Sequence, residues 1–150
     1  MIIGVPKEIK DSEYRVGMVP SGVKALKDAG HAVLIETNAG LGSSITDDEY
    51  KNAGAEIIQS AEEVYKRAEL IVKVKEPRPQ EYKYFRDNLV IFTFFHLAAD
   101  KGLADELLKS GVTAIAYETV ELEDKTLPIL SPMSEVAGRL SVQAGATFLM

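Results

Sequence analysis

The chain contains no cysteine. That single absence removes disulfides, thiolate metal centres and cysteine nucleophiles together. Only two histidines are present, His31 and His96, and they lie too far apart for metal-ligand spacing, so no metal site is expected. There is no Lys/Arg run, and the formal charge of −6 argues against a nucleic-acid surface. No stretch approaches the roughly 18 to 20 apolar residues that span a bilayer. The opening MIIGVPKEIK lacks the basic start and long apolar stretch of a signal peptide, so a cytoplasmic location is expected. Internal repeats and low-complexity segments are absent as well.

What is present fits a soluble globular protein, with 46% hydrophobic and 27% charged residues. A length of 150 residues allows one compact domain with a proper core. Strand-like and helix-like segments alternate. Met1 to Val5, Ala32 to Glu36, Leu70 to Val74, Leu89 to Phe95 and Val112 to Tyr117 read as strands. Between them, Ser21 can cap a helix through Ala29 that Gly30 stops. Thr46 or Asp47 can cap one closed by Gly54, and Ser60 another; Lys101 to Lys109 forms a helix ended by Gly111. Pro77 and Pro79 break the chain. This alternation predicts an α/β fold, an open, mainly parallel, doubly wound sheet of Rossmann-like or flavodoxin-like type.

The last segment differs. Ser131 can cap a helix with Pro132 in its first turn, and no stop signal follows through to Met150. Small residues at Ala137, Gly138, Ser141, Ala144 and Gly145 suit close contact with another backbone. The expectation is a long helix running out of a domain formed by residues 1–130, in a chain cut short; docking of that helix on its own domain is the alternative.

In an open parallel sheet, ligands bind in the crevice outside the strand carboxyl ends. Three cationic side chains stand where a strand-like run gives way to a loop: Arg15, Lys75 and His96. A guanidinium matches the two oxygens of a carboxylate, although Arg15 can equally be a solvated loop charge. Lys75 closes the strand-like run Leu70-Ile71-Val72-Lys73-Val74-Lys75, sharing a face with Lys73 by the period of two, and can bind a carboxylate or polarise a carbonyl; snorkelling to water is the alternative. His96 can move a proton near neutral pH, or bond backbone as a core histidine. His31, beside Gly30, is read as capping helix carbonyls. Asp100, Glu118 and Glu121 can pair with a base or face solvent. Ser134 lies in the first turn of the final helix, where amides favour an anion, and can equally serve the helix start. Gly40-Leu41-Gly42 fails the dinucleotide fingerprint, because Ile45 stands where the third glycine belongs; it reads as an ordinary turn.

Taken together, several stretches carry a resemblance: Gly4-Val5-Pro6-Lys7-Glu8-Ile9, Arg15-Val16-Gly17-Met18-Val19-Pro20, Val72-Lys73-Val74-Lys75-Glu76-Pro77, Phe92-Thr93-Phe94-Phe95-His96-Leu97-Ala98 and Ser131 to Arg139. In this order they resemble the N-terminal part of the alanine dehydrogenase family. The opening and the Ala39-Gly40 region also resemble the α subunit of proton-translocating transhydrogenase. The resemblance implies NAD-linked, reversible oxidative deamination of L-alanine to pyruvate and ammonium. Arg15 and Lys75 would hold the carboxylate and oxo group, His96 would be the acid/base and Ser134 would touch NAD. It also implies a homo-oligomer, hexameric at full length. Family members are more than twice as long, with a separate Rossmann domain after the helix that starts near Ser131. That domain carries the glycine-rich loop and a second catalytic carboxylate, so turnover is not expected of residues 1–150 alone. A non-catalytic small-anion-binding module and a transhydrogenase-like NAD(H)-handling subunit are the competing readings.

Overall fold

The computed structural model describes residues 1–149. Six strands are laid down in chain order: β1 (Ile2–Val5), β2 (Ala32–Glu36), β3 (Glu56–Ile58), β4 (Leu70–Val72), β5 (Val90–Thr93) and β6 (Thr113–Ala116). All pairings are parallel, in the spatial order β3-β2-β1-β4-β5-β6. The chain therefore winds outward from β1 in one direction and from β4 in the other. The direction of winding reverses between β1 and β4, which is where such sheets open a crevice.

Helices cover both faces. The pleat sends Ile3, Val5, Val33 and Ile35 to one side, where they pack with Val23 of α1 (Pro20–Asp28) and Tyr50 of α2 (Asp47–Ala53). Leu34, Ile71 and Ile91 face the other side, against Val64 and Tyr65 of α3 (Ala61–Arg67) and Leu103 and Leu107 of α4 (Lys101–Ser110). Gly4 has no side chain because α3 lies too close. A Cβ there would come within 2.7 Å of Val64 and 2.8 Å of Ala68. Among the described residues no helix is long and apolar enough to cross a membrane.

Local signals account for most helix ends. Thr46 and Glu49 form a reciprocal capping box on α2, and Ser60 and Asp100 accept from the first turns of α3 and α4. Two expected caps are not caps. α1 starts at Pro20, one residue before Ser21, with Val19 as a cap that makes no side-chain bond; a proline at the first helical position supplies the required φ without a hydroxyl. α5 (Ser131–Phe148) likewise has Leu130 at its cap, and the Ser131 hydroxyl donates to the Leu127 carbonyl at 2.8 Å instead.

Three further departures have physical reasons. β3 escaped the sequence reading because Glu56-Ile57-Ile58 is only three residues long and follows directly on the Gly54 cap. Residues Pro79–Tyr84 form a 3-10 turn, in place of a plain loop, whose aromatic side chains pack on the α3/α4 face. β4 stops at Val72 and not at Val74, since the Val74 N–H leaves the ladder to donate to Glu8 Oε1 at 2.6 Å. α5 buries none of its described residues against the rest of the chain, and its expected continuation to Met150 lies outside the described residues.

Candidate functional site

Beneath the crevice lies a buried ionic cluster. Lys73 has no exposed side-chain surface; its ammonium lies 3.2 Å from Glu8 Oε2 and 3.0 Å from Glu81 Oε1. An ammonium so far from water survives only with carboxylates in hydrogen-bonding contact. Each carboxylate has further donors. The Tyr65 hydroxyl and the Arg78 N–H donate to Glu81, while the N–H groups of Val74 and Lys75 donate to Glu8. Burial and the adjacent Glu81 carboxylate push the Tyr65 hydroxyl well above its ordinary value. Glu36, at the end of β2, is also raised, chiefly by burial.

This cluster fixes the backbone that carries Lys75. Its N–H points to Glu8 Oε1 at 3.3 Å, and its carbonyl accepts the Thr93 hydroxyl at 2.9 Å. Lys73 and Lys75 thus end in different surroundings, one sealed among carboxylates and the other half-exposed. The alternating pattern fails because the strand has already ended.

Arg15 stands in the loop between β1 and α1. Its guanidinium makes a two-pronged pair with Glu13, Nε to Oε1 at 2.8 Å and Nη2 to Oε2 at 2.7 Å. Hydrogen bonds from Arg15 outweigh partial burial and hold the Glu13 carboxyl down at about 2, and the charge of Lys75 adds to the effect. Two cations from different loops therefore act on one carboxylate. The remaining Nη1 reaches Met133 Sδ at 3.6 Å, which brings the first turn of α5, and with it Ser134, to the edge of the crevice. The Ser134 hydroxyl itself leans back on the Leu130 carbonyl at 3.4 Å. One cavity of about 260 Å³ is lined by Lys7, Glu8, Glu13, Arg15 and Asn38; another, of about 340 Å³, by Arg15, Lys73, Phe94, Tyr117 and Met133.

His96 is exposed, three residues beyond β5, in the left-handed backbone region with φ 52°. Glu118, following β6, holds that conformation by accepting the N–H groups of His96 at 2.7 Å and Phe95 at 3.3 Å. The imidazole stacks on Phe94 with ring centres 6.0 Å apart, and Phe94 in turn meets Tyr117 edge-on. His96 lines a third cavity, of about 450 Å³, together with Ala116, Glu118 and Thr119. Phe94 is the link between the Arg15 cavity and the His96 cavity, and none of these three cavities is lined by Arg15, Lys75 and His96 together.

Other sequence expectations resolve as structure. The His31 ring does not cap helix carbonyls; its Nδ1 meets the chain's N-terminal amine at 3.4 Å, and its backbone N–H makes the cap to Leu26. Asp100 caps α4, and Glu121 pairs with Lys125. Gly40 and Gly42 flank a tight turn, where a Cβ on Gly42 would come within 2.5 Å of the Tyr14 carbonyl. Close packing accounts for these glycines. Among the described residues there is no group of three or more His, Asp or Glu able to hold a metal ion. Glu8, Glu13 and Glu81 escaped the sequence reading, which also did not foresee the burial of Lys73 or the grip of Glu118 on the His96 backbone. Val72-Lys73-Val74 held the one usable signal, because a lysine between valines in an apolar run implies a buried cation that needs acidic partners.

The fold and these residues define a class: a doubly wound parallel α/β domain with a charged pocket where its winding reverses. The profile of the family described as "Alanine dehydrogenase/PNT, N-terminal domain" matches residues 4–137, and the chain belongs to that family. It is 59% identical to the alanine dehydrogenase of Bacillus subtilis and 55% identical to that of Methanococcus maripaludis, over 99% of this chain in both cases. It spans 39% and 40% of those relatives' lengths. A solved L-alanine dehydrogenase superposes over 99% of this chain and 41% of its own, with a TM-score of 0.93 at 54% identity. A transhydrogenase from Sinorhizobium meliloti superposes over 79% of this chain and 34% of its own, with a TM-score of 0.74 at 34% identity.

Proposed function

We propose that this chain is the substrate-binding part of an NAD-dependent alanine dehydrogenase, which interconverts L-alanine with pyruvate and ammonium. The observation that carries the reading is the two-pronged grip of Arg15 on the Glu13 carboxylate, beside the point where the sheet reverses and within the field of the Lys75 charge. A guanidinium that already binds one carboxylate in this two-pronged geometry, with donors left over, is suited to a second. Arg15 orients the substrate carboxylate, Lys75 polarises the oxo group, and His96 gives and takes the proton from the neighbouring cavity. On this reading residues 1–130 form the substrate domain, and the helix from Ser131 leads to a nucleotide-binding domain, in a cytoplasmic homo-oligomer that is hexameric at full length.

NAD would supply and accept the hydride. The residues here do not form a cradle for it. The loop after β1 has no glycine-rich turn, and the Gly40–Gly42 turn is closed by Tyr14, Ile45 and Tyr50. Ser134, at the start of α5, is the one position here proposed to touch the cofactor.

Titration calorimetry of this chain with pyruvate tests the proposal. Pyruvate heat should be measurable and should vanish in Lys75→Ala. Binding of NADH with none of pyruvate would instead favour the transhydrogenase-like reading, which the 34% identical structural neighbour motivates.

A further inference from the structure

Glu13 is given no part in binding substrate or in the chemistry above, yet it is the group most intimately engaged with Arg15. Its side chain is 7% exposed, while that of Arg15 is 48% exposed. Both carboxylate oxygens are committed, Oε1 to Nε and to the Arg15 backbone N–H at 2.9 Å, Oε2 to Nη2. One of the two edges that a guanidinium offers is thereby taken. The edge toward Nη1 faces Met133 and the Arg15 cavity, with room in its donor set for one more carboxylate.

The charges around that edge point the same way. Glu13 offsets one of the two cations, Arg15 and Lys75, that act on it. Below, Glu8, Lys73 and Glu81 place two carboxylates against one ammonium, and the Glu8 charge is felt at Arg15. A ligand with one carboxylate finds a complementary field. A second anionic group on the same ligand meets Glu13 on one side and the buried carboxylates below, and like charges brought together in a partly desolvated cleft are strongly disfavoured.

We propose that Glu13 is a specificity-determining residue that restricts the site to monocarboxylates by occupying one edge of Arg15. The inference deepens the proposed function and rests on it. The test compares pyruvate with ketomalonate, in which a carboxylate replaces the pyruvate methyl, by calorimetry on the whole chain. Glu13→Gln keeps the size of the side chain and removes its charge, so the ratio of the two dissociation constants should move toward ketomalonate by about tenfold or more. Glu13→Asp, which keeps the charge, should stay close to the wild-type ratio. A ratio in Glu13→Gln within about twofold of wild type overturns the proposal, as does an equal loss for both ligands, which would make Glu13 a mere support for Arg15.

A measurement on the unaltered chain covers the case of a variant that does not fold. The monomethyl ester of ketomalonate should bind about tenfold or more tightly than the dianion, and equal affinity overturns the proposal. If the wild-type chain binds pyruvate through Arg15 but the ratio does not respond, only this inference falls. If pyruvate binding is absent, or is indifferent to Arg15→Ala, the proposed function falls with it.

Discussion

Replacing Lys73 by methionine keeps a flexible stem of similar length and removes the one cation in the buried cluster. Glu8 and Glu81, with side chains 3% and 5% exposed, would then face each other without an ammonium between them. Breaking a buried ion pair by deleting one partner costs about 3–5 kcal/mol. The lower part of that range applies here, because Glu8 keeps the N–H groups of Val74 and Lys75 while Glu81 keeps Tyr65 and Arg78. A loss of about 3 kcal/mol is a large share of the 5–15 kcal/mol typical of a folded domain, and corresponds to a melting temperature lower by roughly 6–12 °C. Urea unfolding followed by far-ultraviolet circular dichroism at neutral pH reads the change directly. The triple variant Lys73→Met/Glu8→Gln/Glu81→Gln removes all three charges and should recover much of the loss, because neutral hydrogen-bonding groups need no counter-charge. A single variant within about 1 kcal/mol of wild type would refute the reasoning, since it would mean that water or another cation already serves the two carboxylates. A triple variant less stable than the single one would refute it as well.

Two further outcomes follow from the same environment. Burial raises the Glu36 carboxyl above its ordinary 4.5, so its contribution to stability is full below pH 4.5 and is lost as pH rises through the folded-state value. Glu36→Gln, which can still accept the Lys7 N–H, should therefore gain stability relative to wild type on going from acid to neutral pH; urea midpoints with a pH-independent difference would rule this out. His96 is exposed, so His96→Ala should change unfolding free energy by less than about 1 kcal/mol, both residues carrying the same Cβ at positive φ. Under the proposed function, the same substitution in a protein that also carries the nucleotide-binding domain should abolish alanine-dependent NAD reduction, and a near-normal rate would remove His96 from the mechanism.

The alternation of apolar runs with capped helices was enough to recognise the α/β fold, because burial on both sheet faces writes a continuous apolar stretch into each longer strand. It could not reveal β3, whose three residues carry too little pattern, nor the early end of β4, which depends on a carboxylate 66 residues away. The site divides similarly. Arg15, Lys75 and His96 were visible as polar residues closing apolar runs, and they do follow β1, β4 and β5. Their partners were not visible. Glu8 and Glu81 look like ordinary charged residues in polar segments until the chain folds them onto Lys73.

Residue chemistry and periodicity, both local, were therefore readable along the chain: where the longer strands and the helices lie, the residues that cap α2 and α3, the glycines that stop α2 and α4, and which side chains can bind an anion or move a proton. The strand order that opens the crevice between β1 and β4 and the sealing of Lys73 between two carboxylates were decided only by the tertiary fold. Each depends on groups brought into contact through three-dimensional packing, and the strength of a charge is set by the solvent and partners around it there.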